Sequence, residues 1–152
     1  MSVSERLTEL GIELPVVAAP VAAYVPAVVH DGLVYTSGQL PFVEGALPAT
    51  GKVPAEVTAE DANAYARTCA LNALAAAAAA AGGVDRIAGV LRLGGFVAST
   101  PDFTGQPGVI NGASLVLGEI FGDAGQHVRA AVGVAVLPLD SPVEVEATFI
   151  LA

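Results

Sequence analysis

Charged residues are scarce in this sequence: they make up 14% of the chain, whereas 54% of its residues are hydrophobic. An average globular domain has about 25% charged residues, so the charges here are too few to solvate the whole surface of a monomer. We therefore expect part of the surface to be buried in an oligomer. The 152 residues suffice for one domain with a real core. We predict a single domain over residues 1–152, with residues 1–21 as an N-terminal extension that contains a short helix.

Positive charge is especially rare, with six lysines and arginines and a formal net charge of -9. Nucleic-acid binding rests on basic patches, and binding to anionic membrane surfaces also needs clustered cations. The charge balance therefore argues against nucleic acid and against membrane surfaces as partners.

The sequence also has few cysteines and no long apolar run. A lone cysteine, Cys69, excludes an internal disulfide framework and suits a reducing compartment. The first residues carry charges and no apolar core of signal-peptide length, and no run approaches the 18 or so apolar residues of a membrane span. We expect a cytoplasmic protein.

Motifs for metals and common cofactors are missing as well. His30 and His127 stand alone and Cys69 has no C-x-x-C partner, so no metal site is predicted. Glycine-rich nucleotide loops and the G-x-S-x-G motif do not occur. We expect no cofactor, and a helical Cys69 is most simply a core residue.

Hydrophobic periodicity and turn signals predict the elements of an α+β fold. Asp31-Gly32 between two apolar runs is typical of a hairpin whose turn needs positive φ at both central residues. Thr58-Ala59-Glu60-Asp61 resembles a capping box before an alanine-rich helix that Gly82-Gly83 ends. The predicted elements are strands at Tyr24–His30 and Leu33–Ser37, a helix to Ala81, a strand at Ile87–Ala98, a helix starting near Pro107, and two strands between His127 and Ile150. The order β-β-α-β-α-β-β implies a mixed sheet, and helices on one face would leave the other free for assembly.

The last two strands hold the most informative charges. Arg129 lies in an otherwise apolar strand, and the next strand carries Glu144 and Glu146 on one face. An unpaired buried cation is costly, so Arg129 needs a partner. Either one of these glutamates pairs with it inside the chain, or an anionic ligand does.

Three further polar residues allow both a structural and a functional interpretation. The Ser37 hydroxyl either satisfies local backbone at a strand end or faces a ligand. Asn111 is either a helix cap or a ligand contact. His127 either faces solvent at the start of its strand or adds a titratable group to a binding cleft.

These residues together resemble the RidA (YjgF) family. The resemblance runs from about Tyr24 to the end of the chain. It is carried by YTSGQLP after the hairpin, by the helix segment with Asn111, and by the pattern R-x-x-V-x-V-x-x-LP-x-x-x-x-VEVEA from Arg129. The family's fold is chorismate-mutase-like, a mixed sheet with two helices on one face, and its members form homotrimers with a small-molecule site in each cleft between subunits.

The resemblance also implies a chemistry and a set of site residues. RidA proper hydrolyses reactive 2-imino acids, or their enamine tautomers, to 2-keto acids and ammonia. By position, Arg129 would hold the substrate carboxylate, which suits a guanidinium fork, and Glu144 would orient or activate the attacking water. The other cleft-lining positions of the family correspond to Tyr24, Ser37, Gly38 and Asn111.

Some positions depart from the family pattern and indicate a divergent subgroup. Many members carry a cysteine two residues after the arginine, where this chain has Ala131, and the lead-in is Gln126-His127-Val128 in place of the usual Pro-Ala. Imine hydrolysis needs no thiol, so deaminase activity is still expected.

The alternative is a non-catalytic homotrimer that binds a keto acid or similar small carboxylate. A nucleic-acid role, a label that some relatives have carried, conflicts with the net charge.

Overall fold

The computed structural model describes residues 1–17 and 23–152. Eight regular elements follow one another along the chain. They are α1 (Val3–Glu9), β1 (Ala27–His30), β2 (Leu33–Thr36), α2 (Ala59–Ala81), β3 (Ile87–Ala98), α3 (Gln106–Phe121), β4 (Val128–Val134) and β5 (Val143–Leu151). The predicted order of strands and helices is confirmed, with α1 preceding it.

The predicted signals at the ends of the elements are found in the structure. Asp31 and Gly32 have φ values of 47° and 77°, as the turn between β1 and β2 requires. The Thr58 hydroxyl caps α2 by accepting the Asp61 N–H at 3.1 Å, and Gly82 ends the helix in the left-handed region. Boundaries of the first two strands were wrong. β2 ends at Thr36 and not at Ser37. β1 begins at Ala27 and not at Tyr24, because Pro26 has no N–H to donate to a strand pair.

The five strands form one mixed sheet in the order β1-β2-β5-β3-β4. Among the five strands that the structure describes, β3 and β4 are the pair that runs in parallel, and α3 connects them. β4 is an edge strand because it comes last in the strand order. Leu93 of β3 lies beside Arg129, and Phe96 of β3 lies opposite Glu144 of β5. The irregularities of β3 lie before Arg92, so side chains alternate between faces from Arg92 to Val97.

α2 and α3 cover one face of the sheet, as predicted. A Cβ added at Gly95 would come within 2.5 Å of Ile110 in α3, while one at the neighbouring Gly94 would meet Glu146. The Gly95 side is therefore the helix-covered face, and the Gly94 side is the open face. The core lies under the helices and includes Leu74, Leu93, Leu117 and Phe149.

Cys69 belongs to this core, which confirms its structural interpretation. The side chain is fully buried on α2, and burial raises the pKa of its thiol well above the usual range, with the negative charge of Glu144 adding to the effect.

Among the residues that the structure describes, no helix is long and apolar enough to cross a membrane.

Candidate functional site

Arg129 lies on the helix-covered side of β4, where the edge of the sheet meets α3. Its Nη1 donates to the Ser114 hydroxyl at 2.9 Å and its Nη2 to the carbonyl of Pro107 at 3.1 Å. The expected internal ion pair with Glu144 or Glu146 is wrong, since Glu146 instead lies 3.7 Å from Arg92. Both acceptors are neutral oxygens, so they hold the guanidinium in place but do not neutralise its positive charge.

Ser114 is a site residue that the sequence did not reveal. It lies on α3, half-buried, and its Oγ is also 2.9 Å from Nε2 of His127. Nδ1 of His127 is in turn 2.6 Å from the carbonyl oxygen of Gly125. His127 therefore does not face solvent, as the simpler interpretation had it, but belongs to the group around Arg129.

Asn111 is exposed within α3 and does not cap the helix, because the N-cap is Gly105. Pro107, Asn111 and Ser114 are spaced by four and three residues, so they share one stripe of the helix. Since Pro107 and Ser114 both contact Arg129, Asn111 lies between the two points where the guanidinium is held. This placement brings an exposed amide to the side of the predicted arginine site.

Glu144 lies on the other face of the sheet. Glu144 is paired with Phe96 of β3, and Arg129 is paired with Leu93 of the same strand. Phe96 and Leu93 are three residues apart and therefore face opposite sides of the sheet. The side chains of Glu144 and Arg129 consequently point away from each other. Glu144 is half-buried. Burial, and secondarily repulsion from Glu146, raises the pKa of its carboxyl.

Gly38, in the segment after β2, lies against the Glu144 carboxylate. Gln39 and Val145 exchange two backbone hydrogen bonds of 2.8 and 3.0 Å, which lays this segment along β5. A Cβ added at Gly38 would lie 2.0 Å from Oε1 of Glu144. A side chain at this position would force the Glu144 carboxylate to move from its present place.

Ser37 and Tyr24 lie at the same end of the hairpin as Gly38. The Ser37 hydroxyl donates to the carbonyl of Val25 at 2.7 Å, which is the local backbone role that the sequence allowed. Tyr24 is 62% exposed and precedes β1. The hydroxyl of Ser37 thus ties the two ends of the hairpin together next to Gly38.

The predicted residues therefore form two separate groups on one chain. Arg129 and Asn111, with Ser114 and His127, lie at the edge formed by β4 and α3. Glu144 and Gly38 lie on the open face, at the junction of β2 and β5. Because the two groups lie on opposite faces of the sheet, they do not form one site within a single chain.

Comparisons with known proteins place the chain among characterised sequences and structures. A family model described as "YjgF/chorismate_mutase-like, putative endoribonuclease" matches residues 4–149. Protein TCP17 of Trypanosoma cruzi is 43% identical over 146 residues, which span 95% of this chain and 91% of that protein.

Two solved structures share the fold at different levels of similarity. Atu1372 of Agrobacterium tumefaciens, a protein with unknown function, superposes with a TM-score of 0.90 and 43% identity, over 99% of this chain and 92% of that one. TdcF of E. coli, whose crystal structure contains bound serine, superposes with a TM-score of 0.65 and 25% identity, over 90% and 94%.

Proposed function

This chain belongs to the YjgF/chorismate-mutase-like family, and on that premise we propose that it hydrolyses reactive 2-imino acids, or their enamine tautomers, to 2-keto acids and ammonia. Arg129 holds the substrate carboxylate, and Glu144 of a neighbouring copy orients the water. Asn111, Ser37, Gly38 and Tyr24 line the cleft between the copies.

The observation that carries this proposal is the state of Arg129. A guanidinium has several N–H donors in a planar fork, and here two of them go to neutral oxygens of α3. Among the residues that the structure describes, no carboxylate lies within salt-bridge distance of this arginine. A half-buried cation in that condition favours an anion from outside the chain.

Glu144 supplies the acid–base chemistry that imine hydrolysis needs. Its carboxylate accepts a proton from water while the water oxygen bonds to the carbon of the protonated imine and the C=N π electrons move to the nitrogen, which gives a neutral carbinolamine. Glu144 then passes this proton to the nitrogen, the C–N bond breaks, and ammonia leaves while the hydroxyl group returns its proton to the Glu144 carboxylate and becomes the C=O group. A raised pKa suits a group that must first take and then return a proton.

The positions of the two groups support an assembly of several copies. The expected homotrimer brings the β4–α3 edge of one copy to the open sheet face of the next, so each cleft receives Arg129 from one chain and Glu144 from another. The open face supports this arrangement because its outer strands carry exposed apolar side chains. These are Val28, Tyr35, Val128 and Val132.

A second candidate is a non-catalytic module that binds small carboxylates. The relative TdcF contains bound serine, a small molecule with a carboxylate, and Ala131 replaces the cysteine found in many family members. A nucleic-acid substrate is less favourable, because six lysines and arginines against fifteen acids give no basic surface. We expect no RNA binding at physiological salt.

The test is a coupled assay in which an amino-acid oxidase generates imino acids from a panel of amino acids. Semicarbazide traps the free imine, and keto-acid release is measured for the wild type and for Arg129→Ala, Glu144→Gln and Arg67→Ala. Arg67 is an exposed arginine on α2 and serves as the matched control. Acceleration that is lost in the first two variants and kept in the third supports the proposal.

Two other results would decide against it. No acceleration by the wild type, together with binding of serine or 2-oxobutanoate in a separate NMR titration, favours the carboxylate-binding module. Equal acceleration by wild type and Arg129→Ala excludes Arg129 as the carboxylate anchor.

A further inference from the structure

Three hydrogen bonds connect Arg129 to the backbone of the turn that precedes β4. Arg129 contacts Ser114, Ser114 contacts His127, and His127 contacts the Gly125 carbonyl, at 2.9, 2.9 and 2.6 Å. His127 and Arg129 are two residues apart, so they reach α3 from the same side of the strand. The sequence offered no reason to connect these residues.

The chemistry of the groups fixes the direction of each bond. A carbonyl oxygen only accepts, so Nδ1 of His127 carries the hydrogen and, in the neutral ring, Nε2 accepts. Ser114 therefore donates its hydrogen to His127 and accepts from Arg129 with a lone pair. Each link has one donor and one acceptor, and the guanidinium is held in one plane by Ser114 and Pro107.

We propose that Ser114 and His127 are positioning residues that orient Arg129 towards a carboxylate ligand and make its affinity depend on the protonation of His127. This inference rests on the proposed function, since it assumes that Arg129 binds a carboxylate. When His127 gains a proton, Nε2 becomes a donor and a second positive charge stands one hydroxyl group away from the guanidinium. An anion on Arg129 is then held by two cations.

Several groups lie around His127. The charged ones on its own segment are Arg129 and Asp123, and Asp123 lines the same surface depression as His127. α3 contributes the uncharged Ser114. β3 and β5 contribute apolar Val90, Leu91 and Ile150 to the described lining of that depression. A bound carboxylate adds negative charge beside Arg129, so binding and protonation of His127 reinforce each other.

The first test compares Ser114→Ala with Ser114→Thr, which keeps the hydroxyl. Dissociation constants for 2-oxobutanoate and serine are measured by NMR titration. We expect Ser114→Ala to weaken binding by about tenfold, the usual effect of losing one hydrogen bond to a charged group, and Ser114→Thr to stay within about threefold of the wild type. Equal binding by wild type and Ser114→Ala, while Arg129→Ala loses binding, overturns the positioning role and leaves the proposed function standing.

The second test follows the pH dependence of binding, which a purely structural role would not change. Histidine generally changes charge between about pH 5 and pH 8. We expect wild-type affinity to be about threefold to tenfold higher at pH 5.5 than at pH 8, and this difference to be smaller in His127→Gln. His30→Gln is the matched control, because His30 is exposed on β1. An unchanged profile in His127→Gln overturns the coupling.

A third measurement needs no ligand and separates the two proposals. A guanidinium fixed by hydrogen bonds rotates slowly and gives resolved Nη signals in ¹H–¹⁵N spectra. We expect such signals for Arg129 in the wild type and in Ser114→Thr, and their averaging in Ser114→Ala. If the wild type binds no carboxylate and the signals behave in this way, the proposed function fails and the positioning of Arg129 remains. Signals that are unchanged in Ser114→Ala overturn the positioning.

Discussion

At the scale of single residues, the two charged site residues are contacted by segments that are distant from them in the chain. Arg129 is held by Ser114 and Pro107 of α3, and Glu144 lies against Gly38 from the segment after β2. The first contact leaves the charge of Arg129 uncompensated, and the second places a backbone segment against the Glu144 carboxylate. These contacts support the proposed roles of Arg129 in binding the substrate carboxylate and of Glu144 in proton transfer.

The raised pKa of Glu144 predicts a pH limit on activity. Because its carboxylate must be ionised to act as a base, activity falls as the pH falls through this raised value, and the acid limb lies above the range of an ordinary glutamate. Glu146→Gln removes the repulsion from the neighbouring acid and is expected to move the limb to lower pH. The measurement is kcat/KM against pH, with the exposed Glu60 changed to Gln as a control. If the acid limb of kcat/KM lies at the same pH in Glu146→Gln as in the wild type, repulsion by Glu146 is negligible.

At the scale of elements, the close contact between α2 and α3 is made possible by a glycine. A Cβ added at Gly112 would lie 1.9 Å from the Asn63 carbonyl oxygen, whereas one added at Gly118 in the same helix would meet nothing within 4 Å. The two glycines thus have different roles, one in packing and one without a packing partner.

Alanine substitutions at these two glycines are expected to have opposite effects. Gly112→Ala should lower the free energy of unfolding by about 1–3 kcal/mol, because the helices must move apart. Gly118→Ala should raise it by about 0.5–1 kcal/mol, because alanine is the better helix former. Urea unfolding followed by circular dichroism measures both. Stabilisation by both substitutions would mean that the two helices can separate at little cost.

Most of the elements were predictable because their signals are local. Asp31-Gly32, Thr58 and Gly82 each impose a conformation within a few residues of themselves. Ser114 was missed because a serine inside a helix gives no local signal, and its contact with Arg129 depends on how α3 packs on the edge of the sheet.

The sequence alone could not predict that the two site groups lie on opposite faces of the sheet. Alternation places Arg129 and Glu144 on faces of their own strands, but only the register of both strands with β3 shows that these faces are opposite. A helix cap was one of the two interpretations of Asn111, because the start of α3 at Gln106 has no polar N-cap to mark it.

At the scale of the whole molecule, we expect the open sheet face to form the interface of the proposed trimer. Val132 is 45% exposed there and lies beside Phe96. We expect the wild type to have the mass of a trimer in light scattering. Val132→Glu should dissociate it, because a charge would be buried without a partner. Ala64→Glu, on the exposed side of α2, should leave the trimer intact. Dissociation by both variants would place the interface elsewhere.

The opposite faces of Arg129 and Glu144 have a consequence for inheritance. If each cleft takes one of these residues from each of two chains, an allele that lacks the arginine and an allele that lacks the glutamate are both inactive alone. Expressed together, they rebuild about a quarter of the clefts with both residues intact, since assembly of the symmetric oligomer mixes the chains at random. Two recessive defects in one gene would thus complement each other in the same cell.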